Sequence, residues 1–269
     1  MKAQAAIIVP ILAQRDDFLA VCLASAVKQT VPCQILVVTS DQTPRSNLDV
    51  INQFQDEFPS FLVLRRQRPS FAAAINTGIE AARTPRVGLL FSDDWLDARA
   101  VEHCLAHDAD IVSSDMAIYD ETGTLELALR KPRTRAVYNQ IRSLADRANY
   151  LGHFLLFRRD LLLSIGGVDE TIGNVGPDDF DMIWTLLEAD ASIIIVEKKL
   201  YCCRDHSGAR LTLRPNEEQV RDLEKILDKH GVFGAKRERW IALHSRWFGR
   251  TLQEVVASDM MSPPSEDAR

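Results

Sequence analysis

The stretch FLVLRRQRPSFAAAINTGIEAARTPRVGLLF, residues 61–91, decides the fold of this chain. Phe61–Leu64 and Val87–Phe91 are short apolar runs typical of buried strands, and Phe71–Ala82 between them is rich in small residues that pack a helix closely on a sheet. A strand, a helix and a further strand make a βαβ unit. Such units build parallel sheets that are covered by helices on both faces.

The same alternation extends toward the amino terminus. Strands are predicted at Ala5–Val9 and Ile35–Val38, with helices at Asp16–Gln29 and Leu48–Phe58. The chain is therefore predicted to be an α/β protein with a mostly parallel sheet. Ligands in such sheets lie beyond the carboxyl ends of the strands. The loops expected to form a site follow Val9, Val38, Leu64 and Phe91.

The pattern changes to α+β after residue 91, and from Pro215 the chain is helical and heavily charged. We expect one domain over residues 1–214, a helical extension over 215–258 and a disordered tail over 259–269. The predicted elements are a helix at about Ala98–His107, a strand at Asp110–Ser114, a hairpin turn at residues 120–123 within Met116–Leu129, a helix near Gln140–Asn149, a strand at Phe154–Phe157, an acidic helix at Asp178–Ala189 and strands at Ser192–Val196 and Leu200–Arg204.

Composition and charge limit the class of protein. The 269 residues carry a formal net charge of -6, which argues against a nucleic-acid partner because phosphate binding needs a concentrated basic surface. The basic cluster Arg65, Arg66 and Arg68 is too short to change this conclusion, although it suffices to contact one phosphate group. The five cysteines form no CxxC pair, which predicts reduced thiols, and no segment has the length of a membrane span. We expect a cytoplasmic protein, with peripheral membrane association left open.

Two adjacent carboxylates, Asp93 and Asp94, end the predicted strand Val87–Phe91. Divalent cations such as Mg²⁺ take oxygen ligands and are commonly held by one or two carboxylates together with substrate phosphates. The pair therefore suits a metal–diphosphate complex. The alternative is that one aspartate caps the helix that follows near Asp97, which is a frequent role for this residue.

A glycine-rich loop delivers three acids, Asp178, Asp179 and Asp181, to the first turn of the acidic helix, with Pro177 at a position that favours helix initiation. Acids in a first turn complement the helix dipole, so a purely structural role also accounts for them. The same dipole lowers the pKa of a base. A working base at this place must therefore have its pKa raised by burial or by neighbouring carboxylates.

Isolated polar residues indicate a functional site less clearly than these groups of carboxylates do. Asn76 and Gly78 interrupt an apolar helix, which a hydrogen-bonded asparagine and a packing glycine explain simply. His206 follows the last predicted strand, where it is either an exposed loop residue or a further metal ligand. His103 and His107 have the spacing of a zinc pair but lack a third ligand, so a solvated helix face is the better explanation.

Taken in order, these segments resemble glycosyltransferase family 2, a large family of inverting enzymes with the GT-A fold. The order of the motifs is the specific part, and together they span about residues 4–210. The matching segments are Ile7-Ile-Val-Pro-Ile, Ala74-Ile-Asn-Thr-Gly-Ile-Glu-Ala-Ala, Leu90-Phe-Ser-Asp-Asp-Trp-Leu, Arg158-Arg-Asp with Gly166-Gly-Val-Asp-Glu, Gly176-Pro-Asp-Asp-Phe-Asp-Met and Arg204-Asp-His-Ser-Gly.

The resemblance implies a nucleotide-sugar-binding half at residues 1–115 and an acceptor-binding half at 116–214. It implies Asp179 as the general base and a nucleoside-diphosphate sugar, with a UDP-sugar favoured, as the donor. Mn²⁺ or Mg²⁺ would neutralise charge on the departing diphosphate. The implied metal ligands are Asp93, Asp94 and His206; the implied donor contacts are Pro10, Asp41, Arg68, Asn76, Ser92 and Asp93; the implied acceptor contacts are Asp178 and Trp184.

The chain departs from the family pattern at several positions. Phe91 stands where the family often has the first acid of D-x-D-D, and Thr39-Ser-Asp-Gln-Thr stands where it usually has D-D-G-S. Asp178 replaces a glutamate. A Q-x-x-R-W motif is missing after the acidic helix, which implies a single-transfer enzyme. A role in building a surface polysaccharide or a lipid-linked glycan is implied by the family resemblance alone.

Other classes fit the sequence less well. A non-catalytic GT-A protein that binds a nucleotide or a partner is allowed by the altered D-x-D and D-D-G-S positions. A sugar-nucleotide pyrophosphorylase or a Rossmann dehydrogenase should carry a glycine-rich loop after the first strand, where this chain has Ile11-Leu-Ala-Gln-Arg. The carboxyl-terminal helices leave open a cover over the acceptor site, a homodimer contact or a membrane contact.

Overall fold

The structure is a computed structural model. It describes residues 3–58, 60–65, 70–127, 132–151, 155–172, 178–208, 213 and 216–261. The described part is a mixed α/β fold built on one eight-stranded sheet, with strands in the order β3-β2-β1-β4-β7-β6-β8-β5. The strands are β1 (Ala5–Pro10), β2 (Cys33–Thr39), β3 (Phe61–Arg65), β4 (Arg86–Leu89), β5 (Trp95–Leu96), β6 (Ile111–Tyr119), β7 (Leu155–Arg158) and β8 (Ile193–Arg204).

Helices cover both faces of the sheet, as the βαβ alternation predicts. In the described residues they are α1 (Asp16–Val27), α2 (Arg45–Glu57), α3 (Phe71–Ala81), α4 (Ala100–Leu105), α5 (Arg135–Gln140), α6 (Leu144–Tyr150), α7 (Arg159–Ser164), α8 (Asp178–Glu188), α9 (Asn216–Lys229), α10 (Gly234–Ser245) and α11 (Leu252–Met261).

The amino-terminal half confirms the predicted parallel sheet. β1 pairs in parallel with β2 on one side and with β4 on the other, and β2 pairs in parallel with β3. Every residue of β1 and β2 is buried, which is why these strands are continuous apolar runs without alternation. The carboxyl ends of β1, β2, β3 and β4 consequently meet at one edge.

The second half differs from the prediction in its strands. The two strands predicted at Ser192–Val196 and Leu200–Arg204 are a single strand, β8, which pairs in parallel with β6. The register shifts at Asp115, opposite the exposed residues 197–199 of β8. Those charged residues broke the apolar pattern in the sequence, whereas in the structure they mark a β-bulge within one strand.

Two hydrophobic cores fill the two faces of the sheet. Alternate residues of β1 divide between them, so that Ile8 packs with α3 and α8 on one face and Ile7 packs with α1 and α2 on the other. A Cβ at Gly78 would lie 2.5 Å from Cγ2 of Ile8, so this glycine lets α3 approach the sheet closely. All five cysteines are buried and unpaired with one another.

The carboxyl-terminal helices pack against the preceding part of the chain. Buried residues of α9 and α10 belong to the same core as α8. Helix α11 reaches Met261, so it includes the first three residues of the tail predicted to be disordered, and residues 262–269 lie outside the described part of the chain. None of the described helices is long and apolar enough to cross a membrane.

Candidate active site

The site lies at the edge where the parallel strands end. The loop after β4 carries Ser92, Asp93 and Asp94, and β8 runs past this loop before ending at Arg204. Short strand β5 follows the loop and pairs antiparallel with β8, Trp95 with Cys202 and Leu96 with Tyr201. Two distant segments of the chain are thereby joined at the place where the sequence predicted a site.

Asp94 is held inside the protein by β8. It is 4% exposed, its Oδ2 accepts a hydrogen bond of 2.5 Å from the Tyr201 hydroxyl, and its Oδ1 accepts one of 2.8 Å from the backbone N–H of Arg204. Burial and the neighbouring Asp94 raise the pKa of Tyr201 well above its usual value, so the phenol keeps its proton and donates. Both oxygens of Asp94 therefore position the β4 loop on β8.

Asp93 and His206 form the open side of this arrangement. The His206 Nε2 and the Asp93 Oδ2 are 3.0 Å apart, and the Asp93 side chain is more exposed than that of His206. The imidazole is packed edge-on against Phe18 of α1, with ring centroids 5.1 Å apart. Packing fixes the direction of the ring. Two of the three predicted metal ligands thus meet in direct contact.

Arg204 ties the same elements together. Its Nε donates to the backbone carbonyl of Asp93 over 3.1 Å, and its guanidinium lies 4.2 Å from the Phe18 ring centroid and 4.8 Å from that of Trp95. Burial lowers the pKa of this guanidinium, which remains charged because arginine titrates far above neutral pH. A cation held over two aromatic faces stabilises the loop by cation–π attraction.

Asp93 and His206 fit a divalent cation. A group of three His, Cys, Asp or Glu side chains arranged around a common point is not found among the described residues, which bring Asp93 and His206 together while Asp94 is bound by Tyr201 and the Arg204 N–H. Mg²⁺ and Mn²⁺ commonly keep waters and bind substrate phosphates, so they do not need a complete protein cage. A carboxylate oxygen beside an imidazole nitrogen is an acceptable ligand pair for Mn²⁺.

Asn76 has structural partners. Its Oδ1 accepts the Val168 N–H over 2.8 Å, and its Nδ2 donates to the Val168 carbonyl and to Glu170, over 2.8 and 2.9 Å. The side chain is buried and fixes the Gly167–Glu170 turn on α3. Gly167 has a φ of +76°, and a Cβ there would collide with the Asn76 Oδ1. The simple explanation considered for Asn76, a hydrogen-bonded residue in a packed helix, accounts for all of these contacts.

Three further predicted donor residues, Pro10, Asp41 and Ser92, lie at the same sheet edge. Pro10 is the buried last residue of β1, and Ser92 is half-buried beside Asp93. Asp41, after β2, forms an exposed ion pair with Arg65, the last residue of β3. Arg68 lies outside the described residues, so its place relative to this edge is not part of the structure.

The acids of α8 divide into an anchored and a more open residue. Asp181 is 1% exposed and bonds to Lys229 over 2.8 Å and to His230 over 3.0 Å. Asp179 is half-buried, and its Oδ1 accepts the N–H of Phe180 over 2.9 Å. The side chain of Asp178 lies outside the described part of the chain.

Trp184 is a packing residue in this structure. It is 5% exposed and stacks on His230 with ring centroids 4.1 Å apart and planes 3° from parallel. It also lines a cavity of about 540 Å³ together with Phe233 and Lys236. A tryptophan so enclosed presents little surface to an acceptor, and its indole holds α9 against α8.

Helix α10 brings a histidine toward the acids of α8. Nε2 of His244 is buried without a hydrogen-bond partner among the described residues. Burial lowers the pKa of His244 to about 4, while the negative charge of Asp179 acts in the opposite direction. The ring packs on Phe180, with centroids 5.2 Å apart. His244 is consequently neutral near pH 7, among aromatic rings and within electrostatic range of Asp179.

Sequence reasoning missed the residues that hold the site in place. Tyr201, Lys229, His230 and His244 lie in segments without a recognisable motif, and Arg204 was quoted within a motif without a role. Aromatic and basic residues in a strand or helix pack on many kinds of partner. Their sequence gives no signal that the partner is a buried aspartate.

Comparisons with known proteins agree with the fold. A family model described as glycosyl transferase family 2 matches residues 6–166. The O-antigen biosynthesis protein RfbC of Myxococcus xanthus is 28% identical over 210 residues, which is 76% of this chain and 16% of RfbC. The chain spans only 9% to 33% of the length of the curated relatives that it matches.

Two glycosyltransferase structures share the GT-A fold with this chain. S. aureus TarS 1-349 in complex with UDP-GlcNAc superposes with a TM-score of 0.62 at 15% identity, covering 96% of this chain and 71% of TarS 1-349. The mannosyltransferase PcManGT from Pyrobaculum calidifontis, in complex with GDP-Man and Mn²⁺, superposes with a TM-score of 0.61 at 18% identity, covering 98% of this chain and 76% of the enzyme. The fold expected from the sequence is confirmed.

Proposed function

Because this chain belongs to glycosyl transferase family 2, we propose that it moves a sugar from a nucleoside-diphosphate sugar to an acceptor hydroxyl, with inversion, help from a divalent cation and one transfer per acceptor. The observation that carries this proposal is the Asp93–His206 pair at the carboxyl edge of the parallel sheet. The domain division at residue 214 belongs to the same proposal, with donor contacts before residue 116 and acceptor contacts after it.

The donor diphosphate would lie over the β4 loop. Asp93 and His206 are the residues that would hold Mn²⁺ or Mg²⁺ there, and when bound the cation supplies positive charge to the departing diphosphate. Asp94 fixes the loop from behind through Tyr201 and Arg204. UDP-sugars are the favoured donors, since TarS 1-349 has been crystallised with UDP and with UDP-GlcNAc. Because the PcManGT structure contains GDP-Man, GDP-sugars are also to be tested as donors.

Asp179 is proposed as the general base. The acceptor hydroxyl oxygen forms a bond to the anomeric carbon while the bond from that carbon to the diphosphate breaks, and the hydroxyl proton passes to the carboxylate. The nucleoside diphosphate leaves with the bonding electron pair.

The acceptor is proposed to be a saccharide or a lipid-linked saccharide. Support comes from RfbC, whose printed name refers to O-antigen biosynthesis. The proposal covers only the part of such pathways in which a sugar is added to a hydroxyl. Membrane association and dimerisation of the chain are left to direct measurement.

The first experiment compares wild type with three aspartate variants. Binding and hydrolysis of UDP-, GDP- and dTDP-sugars are measured with and without Mn²⁺ for Asp93→Ala, Asp179→Ala and the control Asp97→Ala, which alters an exposed acid in the segment after the β4 loop. Asp93→Ala should lose metal-dependent binding. Asp179→Ala should keep binding and lose about 10²–10⁴-fold in turnover. The control should resemble wild type.

The proposal has clear failure points. If wild type binds none of these sugar nucleotides with any divalent cation, the transferase function is wrong and a non-catalytic role replaces it. Once a donor is found, the anomeric configuration of the product by NMR tests inversion. Product length by mass spectrometry tests single transfer.

A further inference from the structure

Asp205 is a buried carboxylate between two residues of the site. It is 1% exposed and lies between Arg204 and His206. Its Oδ1 accepts the backbone N–H of Leu252 over 2.9 Å, and its Oδ2 accepts that of Gln253 over 3.0 Å. Both donors belong to the first turn of α11. The end of the β8 strand is therefore bound to a helix that comes about 47 residues later in the chain.

The two hydrogen bonds from α11 to Asp205 form a strong contact. An ionised carboxylate at a helix amino terminus gains from two charge-assisted hydrogen bonds and from the helix dipole. The Asp205 N–H also donates to the Tyr119 carbonyl over 2.8 Å, so backbone and side chain are both fixed. Removing the carboxylate would leave the N–H groups of Leu252 and Gln253 without this acceptor.

Helix α11 does not need Asp205 as its cap. Thr251 and Glu254 form a capping box, in which the Thr251 N–H donates to Glu254 over 2.7 Å and the Glu254 N–H donates to the Thr251 hydroxyl over 3.2 Å. The helix thus has its own local initiation. The two bonds to Asp205 determine where α11 lies and what it touches.

The neighbours of Asp205 both contact Asp93. Arg204 donates to the Asp93 backbone carbonyl, and His206 lies 3.0 Å from the Asp93 carboxylate. Consecutive Cα atoms are fixed about 3.8 Å apart, so a shift of the Asp205 backbone must move one or both neighbours. A displacement of a few tenths of an ångström is large for metal coordination, where ligand distances hold within about 0.2 Å.

We propose that α11 positions the donor and metal site through Asp205, which acts as a positioning residue without touching the metal or the sugar nucleotide itself. This rests on the proposed function, because Asp93 and His206 must hold a cation for their placement to matter. The carboxyl-terminal helix is then a working part of the transferase domain. Its loss should affect the site at residues 93 and 206 although the helix supplies no ligand.

The test uses Mn²⁺ with UDP. Free Mn²⁺ is measured by its EPR signal during titration of the full chain, for wild type, Asp205→Ala, Asp205→Asn and a chain ending at residue 250. The control is Asp110→Ala, since Asp110 also accepts a backbone N–H, that of Ser192 over 2.9 Å, but at the start of β6. Hydrogen exchange of residues 252–257 reports release of α11 independently of activity.

A graded loss is expected. Loss of a residue that orients a metal ligand typically costs about 10–100-fold in metal affinity, so the Kd for Mn²⁺ should rise by this factor in Asp205→Ala and in the shortened chain. Asp205→Asn retains one acceptor oxygen and should lose less. Donor KM should rise while the pH profile of kcat stays unchanged, because Asp179 is untouched. Asp110→Ala should keep the wild-type Kd even if its Tm falls.

Two failures are distinguishable. If wild type does not bind Mn²⁺ with UDP or another nucleoside diphosphate, the proposed function fails first. If wild type binds and folded Asp205→Ala keeps its Mn²⁺ affinity within about twofold, with α11 exchanging rapidly, the positioning role is overturned and the transferase proposal stands. Should Asp205→Ala not fold, Asp205→Asn decides in the same way.

Discussion

Replacing Tyr201 with phenylalanine removes a buried hydroxyl behind the proposed donor site, which donates to Asp94 and accepts the Phe91 N–H. The residue is fully buried, and its hydroxyl donates to the Asp94 Oδ2 over 2.5 Å. The second oxygen of Asp94 keeps its bond from the Arg204 N–H. Tyr201→Phe changes no volume other than the hydroxyl, so the protein should fold and lose the charge-assisted bond to Asp94 together with the longer, 3.4 Å bond from the Phe91 N–H.

The size of the loss follows from the charge of the acceptor. Hydrogen bonds to ionised groups contribute about 1.5–3 kcal/mol, so unfolding free energy should fall by about 2 kcal/mol. For a chain of this length that corresponds to a drop in Tm of about 4–8 °C. Urea unfolding followed by circular dichroism gives the free energy, and calorimetry gives Tm.

A matched control separates this bond from general loss of a hydroxyl. Tyr119 packs on Trp95 with ring centroids 4.9 Å apart, and its hydroxyl has no hydrogen bond among the described residues. Tyr119→Phe should change stability by less than about 0.5 kcal/mol. If Tyr201→Phe is equally neutral, or if both variants lose the same amount, the Tyr201 hydroxyl does not anchor Asp94.

Three further outcomes are expected, each from urea unfolding. Gly167→Ala should lower the free energy of unfolding by about 2 kcal/mol or more, because φ is +76° and the new Cβ meets the buried amide oxygen of Asn76. Gly166→Ala is the control: its φ is +84° with no atom within 4 Å of the new Cβ, so it should lose only about 1 kcal/mol from backbone strain. Equal losses in the two variants would contradict the steric argument. Burial lowers the pKa of His244 to about 4, so as the pH falls the unfolded chain takes up this proton before the folded chain does. The free energy of unfolding should therefore fall by about 2–3 kcal/mol between pH 6.5 and pH 4. His244→Phe should abolish this part of the pH dependence, and an unchanged pH dependence would refute the argument. His230→Phe keeps a ring for stacking but removes a partner of the buried Asp181, so a loss of about 2 kcal/mol is expected, and a neutral variant would show that this contact contributes nothing to stability.

The sequence predicts the parallel half of the fold well. Strands such as Ile35–Val38 are buried on both faces, so their apolar runs carry the signal without any knowledge of partners. The prediction failed where charged residues 197–199 interrupt an apolar strand, because a β-bulge exposes them without ending β8. A local pattern cannot separate a bulge from a strand end, since the difference lies in the pairing with β6.

The sequence predicts the segments that form the site more reliably than it predicts the role of each residue there. Asp93 and His206 were placed together through motif order, and the structure brings them to 3.0 Å. The acids around them were assigned roles by type alone. Asp205, although it lies inside a quoted motif, carried no prediction, because its partner α11 is identified only by the folded chain.

The acidic residues of the site share one arrangement that explains why adjacent acids have different roles. In the Asp93–Asp94 and Asp179–Asp181 pairs one carboxylate is buried and bound by donors from a distant element, and the other, within two positions, is more open. Asp94 is bound by β8, Asp181 by the end of α9 and its following residue, and Asp205 by α11. A carboxylate can be buried only with such partners, so the anchored acid is the one that fixes the backbone. The neighbour, Asp93 in the first segment and Asp179 in the second, gains a defined position without losing its capacity to bind a ligand or a proton.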